Sequence, residues 1–197
     1  MITMKALFLR AMLALAMTIG ASGAMAEPVY RVTLDTSQYA GTSGFLDFGY
    51  NGPGDAGPGL ARVTNLVGDF FGAPMLEGGA SGDVLNGIEL VNTTGYNFFD
   101  QAVNFTDALS FDIYLDPLAG INGMVFSVAL FNADFDAYLG GAGNLLEISV
   151  LPGMPAEVIV VPGAPLDVIA VPEPRDWALV LTGLLLIGFT RRMRRQR

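Results

Sequence analysis

The residues best suited to hold an ion are Asn132-Ala-Asp134-Phe-Asp136, three oxygen-bearing side chains at alternate positions. Successive side chains of an extended chain point to opposite faces, so this spacing puts all three on one face. Hard oxygen ligands are what calcium selects, which makes Ca2+ the candidate cofactor, at Asn132, Asp134 and Asp136. The segment opens like an EF-hand loop. Ala137, however, stands where that loop needs glycine, and Gly143 where it needs its terminal glutamate. The EF-hand is therefore excluded, and the plainer reading is a solvated loop behind the apolar run Met124 to Phe131.

Other chemistries are narrowed by what the chain lacks. It has no histidine and no cysteine. Ser-His-Asp catalysis, histidine-bound zinc, thiolate metal sites and disulfides are all removed at once. Paired carboxylates could hydrolyse glycosides, but seventeen acids in the central stretch make some close pair inevitable. No catalytic motif accompanies them, so the chain reads as a non-enzyme. Asp112 and Asp116 read as the polar positions of a strand end. Tyr96-Asn-Phe98-Phe99 and Phe105 could stack against sugar rings, although alternating aromatics more often fill a core.

The elements that must carry these residues read as β throughout. Val29 to Leu34, Phe45 to Tyr50, Ser110 to Leu115, Met124 to Phe131 and Leu145 to Val150 are short runs rich in branched and aromatic residues. In the third, Phe111, Ile113 and Leu115 would face inward and Ser110, Asp112 and Tyr114 outward. Met124 to Phe131 is apolar enough to be covered on both faces. Gly-rich stretches at 51–59, 77–83 and 140–143 punctuate the runs as turns. The expected fold is all-β, an antiparallel β-sandwich of jelly-roll-like type over residues 27–161.

A period-ten repeat closes that body. Leu151-Pro-Gly-Met-Pro-Ala-Glu-Val-Ile-Val aligns with Val161-Pro-Gly-Ala-Pro-Leu-Asp-Val-Ile-Ala, and Val171-Pro172 begins a third copy. The prolines exclude helix and central strand, while the Val-Ile pairs favour extended backbone. The first unit is expected as an edge strand. The second, 162–171, is expected as a Pro-rich spacer giving a processing enzyme access, the alternative being that both are final strands.

The two ends read as targeting segments. Lys5 and Arg10 precede an apolar run to Ile19, and Ala24-Met25-Ala26 before Glu27 fits signal-peptidase cleavage, so residues 1–26 read as a signal helix for the Sec machinery. Near the C-terminus, Trp177 to Thr190 is free of charge and is followed by Arg191, Arg192, Arg194, Arg195 and Arg197. Those fourteen residues reach about 21 Å as a helix, against a hydrocarbon core of about 30 Å. On length alone this could be a buried helix. A terminal arginine cluster cannot pack in a core, though. It would hold to the cytoplasmic face, with Trp177 at the opposite interface. Residues 177–190 thus read as a single transmembrane helix with the body outside the inner membrane. Between Glu27 and Pro172 only Arg31 and Arg62 oppose seventeen acids, a balance of −15. That charge repels nucleic acid, which is excluded as a partner.

Pro172-Glu173-Pro174, the short apolar helix and the arginine tail together resemble the PEP-CTERM sorting domain of Gram-negative bacteria, here over residues 172–197. The resemblance implies an exosortase as processing partner and cutting near Pro172-Glu173-Pro174. It implies a membrane-anchored precursor and then the cell surface, extracellular matrix or biofilm, in association with exopolysaccharide. The body is also similar, at Tyr30 to Thr36, Gly44 to Phe48 and Leu109 to Asp112, to a family of PEP-CTERM proteins without assigned activity. More loosely it is similar to sandwich domains that bind sugars.

Overall fold

The computed structural model describes residues 29–171 apart from 54, 55, 57, 93 and 117–121, together with Gly183. The strands in chain order are β1 (Val29–Asp35), β2 (Ser43–Asn51), β3 (Leu60–Val67), β4 (Asp69–Phe70), β5 (Met75–Glu77) and β6 (Ala80–Asp83). They continue as β7 (Gly87–Val91), β8 (Phe98–Asn104), β9 (Ala108–Leu115), β10 (Met124–Asn132), β11 (Leu146–Val150), β12 (Glu157–Val160) and β13 (Leu166–Val171). One sheet runs β13-β1-β9-β3-β7-β6. The other runs β12-β11-β10-β2-β8-β4, with β5 also on β8. All the described pairings are antiparallel. The chain is all-β, consistent with a β-sandwich.

Alternation explains why these runs become strands. In β1, Tyr30, Val32 and Leu34 are buried while Arg31, Thr33 and Asp35 are exposed. In β9, Phe111, Ile113 and Leu115 are buried, as the sequence expects. The inner faces meet through Phe48 of β2, which packs edge-on to Phe111 of the facing sheet at 5.0 Å and tilts against Phe126 of β10 at 6.2 Å. Leu46, Tyr50, Val63, Ile88, Leu90 and Ile148 extend this single apolar layer.

Asp112 departs from expectation. It lies on the outer face but is only 3% exposed. A register shift between Thr64 and Val67 of β3 bends that strand, and Asn65 takes a φ of 54° there, a left-handed conformation that asparagine tolerates. The bulge carries the Asn65 amide to Asp112 at 2.8 Å, while Arg31 grips the same carboxylate through two bonds of 2.8 and 2.9 Å. The surface position is thus covered by its own partners.

The second repeat unit is not a spacer. Its residues 166–171 form β13, which pairs with β1 along its whole length, Leu166 opposite Leu34 through to Val171 opposite Val29. The first unit supplies β12 on the edge of the other sheet, as expected. Pro162 and Pro165 fall in the turn between the two strands, where they interrupt no ladder, and Leu166 and Val168 pack against the core. The folded body therefore runs at least to Val171, not 161, which is the residue immediately before Pro172.

A chain ending at Val161 is accordingly expected to melt several degrees lower than one ending at Val171, because it uncovers the flank of β1 and removes Leu166 and Val168 from the core. Thermal unfolding of the two purified bodies checks this. Equal midpoints would restore the spacer reading.

Candidate functional site

The sorting residues Pro172, Glu173 and Pro174, the cleavage residues Ala24, Ala26 and Glu27, and the anchor residues Trp177, Arg191, Arg192, Arg194, Arg195 and Arg197 lie outside the described residues. Among the described residues no helix is long and apolar enough to cross a membrane.

The proposed calcium ligands occupy a turn rather than an extended strand. β10 ends at Asn132, whose side-chain oxygen accepts from the backbone N–H groups of Asp136 and Ala137 at 3.1 and 3.2 Å. Its amide donates to Asp136 Oδ1 at 2.7 Å. Asn132 thus caps the turn and ties down Asp136, while Asp134 is exposed at the tip. The alternation that would align three side chains is lost once the chain reverses. No group of three or more Asp or Glu side chains suited to a metal ion occurs among the described residues.

That same turn carries an aromatic cluster. Phe135 adopts φ 59°, a left-handed conformation unfavourable for a bulky residue, and this sets its ring over the outer face of the seven-stranded sheet. There it stacks on Phe131 at 4.4 Å and meets the edge of Phe45 at 4.9 Å. Tyr138 covers Phe131 from 4.5 Å. Phe45 and Phe131 are cross-strand neighbours on β2 and β10, so the sheet register fixes the base of the cluster. Phe135 and Tyr138 remain 38% and 46% exposed, which leaves ring surface free for a ligand.

Further along the same outer face, four to six residues along β10 from Phe131, lies an open groove of about 490 Å³. Asn51, Tyr96, Val125, Ser127, Asn144 and Glu147 line it. The Asn144 amide donates to Glu147 at 2.9 Å. Of the aromatics that sequence alone singles out, Phe99 and Phe105 are buried in the core and only Tyr96 stands exposed, at 68%. The rings that do gather on the surface are brought together by register and by a strained turn. The signal for them was the recurrence of rings at Phe131, Phe135 and Tyr138, which the ligand spacing of the acids overshadowed.

Between rings and groove, Asp47 and Asp100 face each other across β2 and β8. Burial pushes Asp47 up to about 8, helped by its hydrogen bond to Asp100 and by that group's charge. Burial also raises Asp100, with the Glu77 charge adding and the bond to Asp47 opposing. Two facing carboxyls, Asp47 buried and Asp100 partly so, resist ionising together, which favours the protonated form of the pair. On the opposite sheet the Arg31 guanidinium holds Asp112 below the usual carboxylate range, against its burial and together with Asn65. Arg62 reaches Glu89 at 3.4 Å on that same outer face. Both arginines of the body thus belong to the six-stranded sheet, and the face with the rings carries carboxylates but no cation.

No protein-family model, no curated protein and no solved structure matches this chain. The arrangement offers ring faces, amides and carboxylates for contact.

Because Asp47 holds its proton more tightly when folded, its contribution to stability is full below about pH 4 and is lost as pH rises through about 8. Asp112 has the opposite sign, losing its contribution as pH falls through its lowered folded value. Urea unfolding should therefore show stability falling between pH 5 and pH 8.5 by on the order of a few kcal/mol. Asp47→Asn should flatten that slope, since its amide can donate to Asp100 without a proton from solvent. An unchanged slope in the variant would show that the pair is solvated and ionised.

Proposed function

We propose that this chain is an exported, non-enzymatic component of the bacterial cell envelope or extracellular matrix. A signal peptide delivers it, and an exosortase-type enzyme processes it near Pro172-Glu173-Pro174. The observation that carries the reading is how close the paired strand comes to the motif. β13 pairs with β1 through Val171, the residue immediately before Pro172, so the motif follows directly on a strand held in the sheet. A sorting segment following directly on that strand can be cut without unfolding it. The strand order, in which the chain passes repeatedly between the two sheets, supports a jelly-roll-like sandwich, with a signal helix before it and a single membrane helix over 177–190 after it.

The mature protein recovered from surface material should end between Val171 and Asp176, with its N-terminus at Glu27. Intact-mass spectrometry reads both ends, and a species that retains Arg197 would overturn processing.

A second reading, a carbohydrate-binding module, is favoured by the exposed rings of Phe135 and Tyr138. Flat apolar ring faces suit the C–H faces of pyranoses, and the cation-free face favours neutral or amino sugars over uronates. Calcium at Asn132, Asp134 and Asp136 is not needed for this binding. Co-sedimentation with insoluble polysaccharide is expected to fall at least several-fold in Phe135→Ala/Tyr138→Ala, with the fold retained by circular dichroism. Undiminished sedimentation would remove the rings from the binding surface.

A further inference from the structure

Seven of the fifteen exposed large apolar residues of the described chain fall within residues 151–171. They are not scattered. β12 and β13 are the outermost strands of the two sheets and lie on the same side of the molecule, joined by one turn. Val158, Ile159 and Ile169 lie along this side. Leu151 and Met154, in the turn before β12, lie toward the end where Val171 meets Val29. Patches of this kind on an otherwise acidic body mark a contact surface.

The length of chain beyond Val171 says what can reach it. Residues 172–176 separate the last strand from the uncharged run at Trp177. Five residues span at most about 18 Å, and Pro172 and Pro174 stiffen the link. If residues 177–190 lie in a bilayer, the apolar corner is held within about that distance of the headgroups. Between 151 and 171 the charged residues are Glu157 and Asp167, and the one cation beside this edge, Arg31 opposite Ile169, is paired with Asp112, so the corner suits a zwitterionic surface rather than an anionic one.

We propose that the β12–β13 edge of the anchored chain rests on the membrane surface, through Leu151, Met154, Ile159, Ile169 and Val171. The sandwich then sits edge-down, with the opposite edge at β6 facing outward. This rests on the reading of 177–190 as a membrane segment, and the test separates the two.

The chain has no cysteine and one tryptophan, so single labels are unambiguous. The full chain is reconstituted in phosphatidylcholine nanodiscs with a polarity-sensitive fluorophore at Met154→Cys, Ile159→Cys or Leu85→Cys. Leu85 is 91% exposed in the β6–β7 turn, on the far edge. Lipids spin-labelled near the headgroup serve as quenchers, and Trp177 reports insertion of the tail. The expected result is quenching at 154 and 159 several-fold stronger than at 85, weakened when phosphatidylglycerol replaces part of the phosphatidylcholine. Quenching of Trp177 without quenching at 154 and 159 would overturn the edge contact and leave the anchor standing. So would equal quenching at 85, or shielding of 154 and 159 by a second copy of the chain. No quenching of Trp177 would overturn the anchor itself and the edge contact with it.

Discussion

With no disulfide available, the two sheets are joined through the apolar layer between them. The contact of Phe48 with Phe111 and Phe126 spans that layer at its centre. Everything else is arranged around it. Burial of alternate residues forces the intervening ones outward, and the outward ones decide what each face can do. Phe48 inward means Phe45, Asp47 and Gly49 cannot all follow it, and Phe45 and Asp47 become the base of the ring cluster and half of the carboxyl pair. The ring-bearing face is therefore a by-product of the core register. A one-residue slip of β2 against β10 would send Asp47 into the core and Phe48 to solvent.

The two outer faces solve the same problem differently. On the six-stranded sheet each arginine stands beside an acid, and Asp112 is desolvated only because Arg31 and Asn65 close over it. On the seven-stranded sheet there is no arginine to spare, and burial instead raises the pKa of both Asp47 and Asp100, favouring their protonated forms. A body with two basic residues and seventeen acids must do one or the other wherever it buries a carboxylate. With both arginines on the opposite sheet, the remaining carboxylates of the ring face stand without a cation, which would bias any ligand there toward neutral or cationic groups.

Strands that alternate cleanly or carry long branched runs were legible in the sequence: β1, β2, β9, β10 and β11 lie within a residue or two of where patterning puts them. What was not legible depends on partners distant in sequence. β3 was hidden by its bulge, where Asn65 and Leu66 break the alternation. β4 and β5 are too short to carry a period and exist only because β8 offers an edge. β13 was obscured by its prolines, which argue for a spacer until β1 is seen to need a neighbour. The site shows the same division. Asn132, Asp134 and Asp136 look like ligands when spacing alone is considered. Their local hydrogen bonds make them a turn, and the turn's consequence is the placement of Phe135. Neither the Asp47–Asp100 pair nor the Phe45–Phe131 base could be read without the register of β2.

The position of the last strand bears on how the molecule is used. An edge strand pinned by six residue pairs cannot also serve as a flexible tether. If a membrane enzyme cuts near Pro172, the whole distance between the rigid body and the bilayer must then come from residues 172–176. The body would be held close, and its own surface would matter to access. An apolar corner near Val171 would then help, since it would let the sandwich lie against the lipid instead of swinging over the cleavage site, while the acidic remainder of the body would keep it from spreading across an anionic leaflet. Release by cleavage would then expose the β12–β13 edge to water for the first time. Pro155, Pro162 and Pro165, which flank the two strands, shorten the stretch of free ladder that another chain could pair with. The prolines that disguised β13 in the sequence would thus protect it once the membrane is gone.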